Sequence, residues 1–213
     1  MFRLDDKLAR IRAGDYRRSD FIIADAKDPD MGPGLYAVGP AREADGTTRR
    51  LRTRAEFLDS IAAIVSQDIV DVMLTSASNL EQLAKRKAFA GTGVKPAIRA
   101  NDTTDVWRHR GATYHDKPSR PFRTASLARV RSGSAHPNAH ADVALTDLGL
   151  YSITFSGNLD ADHASLHAFR EFRDDAAACG FSYFLEVFNP NVVDFVAAAR
   201  PRSGRRGSAR SRR

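Results

Sequence analysis

Six polar side chains close strand-like runs in this chain: Asp25 and Lys27 in DFIIADAKD, Arg99, Asn101 and Asp102 in VKPAIRAND, and Glu186 in FSYFLEVFN. Side chains two apart on a strand look the same way. Asp25 and Lys27 therefore share a face with Ile23, Arg99 and Asn101 with Ala97, and Glu186 with Phe184 and Phe188. If those faces converge, acids and bases held close together shift one another's proton affinities, which is how general acid–base groups are tuned. Glu186 ranks first, because a lone carboxylate between two phenylalanines is costly to bury without a purpose. Arg99 has a second use open to it, holding a substrate phosphate or carboxylate in its bidentate fork. The structural alternative for all of them is an ion-pair network filling a closed core.

The elements that must position these residues alternate between strand and helix. FRLDDKLARIRAG (2–14) reads as an amphipathic lead-in helix ending at Gly14, and DFIIADA (20–26) as the first strand, followed by the glycine- and proline-rich loop DPDMGPG. Thr53 and Glu56 make a capping box for a helix running to about residue 67, with Phe57, Ile61, Ile64 and Val65 at helical spacing. DIVDVMLTS (68–76) is a β-branched strand. Ser78 and Glu81 suggest a second capping box, for a helix that stops at Gly91. VKPAIRAND (94–102) is the third strand, a short helix is expected around 124–132, and SGSAHPNAHAD (132–142) reads as a loop. DLGLYSITF (147–155) is the fourth strand. A long helix capped by Asp160 or Asp162 follows, with Leu166, Phe169, Phe172, Ala176 and Cys179 as its apolar stripe and Gly180 past its end. FSYFLEVFN (181–189) is the fifth strand.

Strands alternating with helices of this length imply parallel strand–helix units. Neither G-x-G-x-x-G nor G-x-x-x-x-G-K-[ST] follows a strand, which argues against a dinucleotide-binding or P-loop sheet. Each strand instead ends in polar groups, the arrangement of a barrel whose strand ends meet at one mouth. The expected fold is α/β: a partial (β/α)8 TIM barrel of about five strand–helix units over residues 1–191, with a disordered basic tail over 192–213.

The run TDLGLYSITFSGNLDADHASLHAFREFRDDAAACGFSYFLEVFNPN resembles strand four, helix four and strand five of the tagatose-bisphosphate aldolase group. That group belongs to the deoxyribose-phosphate aldolase-like class I superfamily. IIADAKD resembles its first-strand segment and IRANDTTDVW its third strand and loop, so the resemblance spans roughly residues 20–190. It implies a TIM barrel that cleaves or forms a C–C bond in a phosphorylated sugar through a Schiff base, with no cofactor. By this likeness Glu186 matches the strand-five carboxylate that assists proton transfer, and Asp25 the strand-one aspartate. Two departures bear on activity. The family's strand-four lysine is replaced in LYSITF by Ser152 or a neighbour, and the Schiff-base lysine of strand six has no counterpart before the chain runs into VVDFVAAARPRSGRRGSARSRR. An amine is required there, so the chain as given is expected to be inactive, as from a truncated or frameshifted reading frame. The alternatives are a metal-assisted barrel lyase or isomerase using Glu186, Asp25 and Asp102, and a non-enzymatic nucleic-acid binder acting through its tail.

The excess positive charge lies in that tail and not in the domain. Seven arginines lie in the final fourteen residues, and removing them from the 33 basic residues leaves as many as the 26 acids. The net charge of +7 therefore describes the tail and not the domain. His163 and His167 have zinc-compatible spacing but no evident third ligand, so a solvated helix face is the expected reading. His136 and His140 read as loop residues, and Trp107 and Tyr114 as packing beneath the long third loop. A single cysteine, Cys179, suits a reducing cytosol. No apolar run approaches a membrane span and no signal-peptide h-region is present. The expectation is a cytoplasmic protein with a phosphorylated-sugar substrate, no membrane partner, and open edge strands that leave a homo-oligomer in play.

Overall fold

The computed structural model describes residues 1–28, 38–47, 49–103, 117–132 and 145–188. The expectations for Trp107, Tyr114, His136, His140, the 132–142 loop beyond residue 132 and the basic tail lie outside these residues.

In chain order the elements are α1 (Arg3–Ala13), β1 (Ala24–Lys27), β2 (Pro40–Arg42), β3 (Arg49–Leu51), α2 (Arg54–Ser66), β4 (Val72–Thr75), α3 (Ala77–Lys85), β5 (Lys95–Arg99), β6 (Asn101–Thr103), β7 (Pro121–Arg123), α4 (Leu127–Ser132), β8 (Leu148–Thr154), α5 (Leu159–Cys179) and β9 (Ser182–Phe188). Five strands form one parallel sheet in the order β1-β4-β5-β8-β9. Each new strand is added to the same edge, so the order never reverses and there is no switch point of the doubly wound kind. The result is a mixed α/β protein whose five-stranded parallel sheet curls into a half-barrel. Among the described residues no helix is long and apolar enough to cross a membrane.

Alternation along the strands sorts the core into two layers. Met73 packs with Phe57, Leu58, Ile61 and Val65 of α2, while Ile98, Tyr151 and Ile153 pack with Leu80 of α3 and Phe172 and Ala176 of α5. This is the outer, helix-covered face. The opposite, lumen face carries Val72, Leu74, Ala97, Leu148 and Leu150, and Leu4 of α1 closes it at the N-terminal ends of the strands. Ion pairs fix α1 there: Lys7 meets the buried Asp71 at 2.8 Å, and Lys95 meets Asp5 at 2.8 Å and Asp147 at 3.0 Å.

Local signals account for most element ends. The Thr53–Glu56 capping box forms, and Gly14 and Gly180 take left-handed φ of 74° and 60° at the ends of α1 and α5. Other expectations are corrected. α3 is capped by Ser76, whose side chain accepts from the Asn79 amide, not by Ser78. α5 is capped by Asn158; Asp162 instead accepts from the amides of Ser156 and Gly157 and ties down the loop after β8. Leu166 is half exposed and Ser165 takes the buried position. The first strand begins at Ala24 and not residue 20, because the Asp71 carboxylate accepts the Ile23 amide at 2.7 Å and occupies the place of a ladder bond. β5 leaves the sheet after Arg99, and β6 then pairs antiparallel with β7. The three-residue hairpin β2–β3 was likewise not foreseen.

Candidate active site

Arg99 is the last residue of the middle strand and faces the lumen, in register with Leu150 of β8. Its side chain is only 10% exposed. The guanidinium makes three contacts at the strand ends: Nε donates to Asp28 Oδ2 at 2.9 Å, while NH1 donates to Ser152 Oγ and to Glu186 Oε2, the latter at 3.3 Å. The Ser152 hydroxyl donates to that same Glu186 oxygen at 3.0 Å. Ser152 and Glu186 are register partners on β8 and β9, so backbone pairing alone brings them side by side on the lumen face.

The connection from Asp28 to Glu186 requires the curl. Asp28 directly follows the first strand of the sheet and Glu186 lies on the fifth. Laid flat, those strands would be four steps of about 4.8 Å apart, roughly 19 Å. One guanidinium bonds both carboxylates because the sheet bends around it. Buried charges of this kind need partners and hydrogen bonds to be tolerated, and Arg99 has two carboxylates and a hydroxyl within reach.

Asn101 lies on the same face two residues on, and its amide is used on the backbone. Nδ2 donates to Ser152 O at 2.8 Å, and the Ser152 amide donates to Asn101 Oδ1 at 2.7 Å. The side chain thus continues the β5–β8 ladder for one step after the main chain has turned away. Asp102 is buried on β6, in register with Phe122 of β7.

Asp25 and Lys27 do not join this cluster, which corrects the expectation that they meet Arg99 and Glu186. They stand in register with Met73 and Thr75. Met73 packs into the α2 layer, and Thr75 is in register with Ile98 of the other outer cluster. In parallel pairs register partners face the same side, so Asp25 and Lys27 belong to the outer face, where they pair with each other. The lumen face of β1 is instead Ala24, Ala26 and then Asp28. Sequence reasoning missed Asp28 and named Ser152 only as the place of an absent lysine. The signal for Asp28 was there: two small residues suited to a narrow lumen, at alternate positions, ending in an acid.

The remaining candidates are dispersed. His167 pairs with Glu171 at 3.5 Å on the exposed side of α5, and among the described residues no three His, Cys, Asp or Glu side chains gather as a metal site would require.

No family model matches the chain, and no curated protein matches it. Among solved structures it is similar to the crystal structure of Cgl0159 from Corynebacterium glutamicum (Brevibacterium flavum), with a TM-score of 0.50 and 18% identity. The match covers 87% of this chain and 60% of that one, so this chain spans about three-fifths of that protein's length. Likeness at this identity concerns the fold alone.

Proposed function

We propose that this chain is the first five strand–helix units of a TIM-type barrel of the class I aldolase kind, with a phosphorylated sugar as its ligand. The observation that carries this reading is Glu186, held by Arg99 and Ser152 on the lumen face at the C-terminal ends of a curled parallel sheet. That end is where parallel barrels keep their chemistry. The sugar-phosphate class comes from the sequence resemblance.

In Schiff-base aldol cleavage a base accepts the proton of the substrate hydroxyl as the C–C bond breaks, and the bonding electrons pass through the adjacent carbon to the protonated imine nitrogen, leaving an enamine. Glu186 suits the base role: its carboxylate is oriented by two donors, and its side chain is 40% exposed toward the lumen. Arg99 acts by holding Glu186 through NH1 while its Nε is bonded to Asp28. Asn101 acts by fixing the backbone of Ser152.

The imine needs an amine beside Glu186. Lys95 is at the opposite end of the sheet, bound to Asp5 and Asp147, and Lys27 is paired with Asp25 on the outer face. The chain is therefore expected to bind but not to turn over. The metal-assisted alternative loses Asp25 from the same mouth, and the nucleic-acid alternative rests on a tail outside the described residues.

Titration with a triose phosphate, followed by amide NMR, tests this. Shifts are expected at Ser152, Glu186 and their neighbours, absent with inorganic phosphate alone and lost in Glu186→Ala. Borohydride should add no mass to the protein. Absence of shifts at millimolar sugar phosphate, or a covalent adduct on Lys27, would contradict the reading.

A further inference from the structure

We propose that Arg42 and Arg49 form a binding site for a phosphate dianion on the β2–β3 hairpin. The inference makes no use of the role given to Glu186.

The two arginines are register partners across the antiparallel pair. Such partners point to one face, with Cα atoms about 4.5–5.5 Å apart. Like charges placed directly opposite destabilise a hairpin. Both side chains are exposed, and among the described residues neither makes an ion pair or a hydrogen bond. The two acids of the hairpin are engaged elsewhere. Glu43 accepts from Arg50 Nε, and Asp45 accepts from the Thr47 amide at 2.9 Å.

The scaffold holds this repulsion in place. Arg50 points to the opposite face and is locked to Glu56 of α2 by two hydrogen bonds, at 2.7 and 2.6 Å. The Arg52 amide donates to Gly39 O at 3.0 Å and extends the ladder away from the turn. Thr53 then caps α2, and Arg54 bonds Asn79 and the Ser78 carbonyl in the first turn of α3, directly after β4. These anchors set the hairpin at the C-terminal end of the parallel strands, the end that also carries Arg99 and Glu186.

The chemistry of the pair selects the ligand. Each guanidinium fork matches two oxygens of a phosphate. A phosphate monoester above its second pKa of about 6 carries close to two negative charges, which balances the two positive ones. A carboxylate carries one charge and is satisfied by a single fork. The dianion therefore removes a repulsion that the hairpin bears without it.

NMR of the arginine Nε groups and hairpin amides tests this, with inorganic phosphate and glycerol 3-phosphate as probes and sodium chloride at matched ionic strength as the control. Saturable shifts are expected at Arg42 and Arg49 with both probes above about pH 7, and much smaller ones with chloride. Equal affinity for the two probes would support the site with free phosphate as its ligand, and tighter binding of the ester would support it with an organic phosphate. Arg42→Gln and Arg49→Gln should each weaken binding about tenfold, with the rest of the amide spectrum unchanged, and Arg42→Lys should weaken it less. Arg49→Glu should abolish binding and slow hydrogen exchange in the hairpin, because an ion pair replaces the repulsion. Shifts matched by chloride, or binding that survives Arg49→Glu, would overturn the proposal. Shifts at Ser152 and Glu186 with none in the hairpin would also overturn it, while leaving the role of Glu186 standing.

Discussion

Asp20 shows how far a single side chain can be tuned here. It accepts two hydrogen bonds from the Arg10 guanidinium, at 3.0 and 2.6 Å, and one from the Arg17 amide at 2.9 Å. These hold its pKa down to about 2. The Arg50 guanidinium, with help from Thr53, does the same for Glu56, again to about 2. Lys95 is pulled down by burial, but Asp5 and Asp147 outweigh this and its pKa is raised. A carboxyl with a folded pKa below its unfolded value of about 3.9 binds protons more readily when unfolded. Its contribution to stability is complete above pH 4 and is lost as pH falls toward 2. Asp20→Asn should therefore flatten the fall in urea midpoint between pH 4 and pH 2, and an unchanged slope would show that the pair contributes nothing. The Thr53–Glu56 box was legible because its partners are three residues apart. Asp28 was not, because strand alternation says which residues share a face but not which face is inside. In β1 that choice is made by its register with β4.

At the scale of elements, periodicity served the helices well and the short strands poorly. α5 announced itself by a repeating apolar stripe and a terminal glycine, both local features. β2–β3 and β6–β7 are three-residue ladders, and pairing of that kind leaves no period in the sequence. The contact between β8 and the segment leading into β9 is tight. A Cβ placed on Gly149 would lie 2.8 Å from the Phe181 ring and 3.3 Å from the Ile98 carbonyl oxygen, so glycine is there for close approach. Gly149→Ala is expected to destabilise the fold by about 1–3 kcal/mol, as overpacking in a filled core does. Chemical denaturation measures this directly, and a neutral effect would mean that Phe181 moves aside freely.

For the whole molecule, strand alternation and the absence of phosphate-loop motifs pointed to a parallel barrel, and the unreversed strand order with helices on one face agrees with that expectation at the level of a curled half-barrel. What the sequence could not reveal is the degree of curl, because it depends on contacts between strands more than 150 residues apart in the chain: Asp28 and Glu186 meet only through Arg99. That juncture is the centre of the account, since it ties the first strand to the fifth and orients the candidate base. A double-mutant cycle in urea, pairing Arg99→Met in turn with Asp28→Asn and with Glu186→Gln, tests it most directly. The account predicts coupling of about 1 kcal/mol or more in each cycle. Additivity within about 0.3 kcal/mol in both would mean that the first and fifth strands do not meet at Arg99.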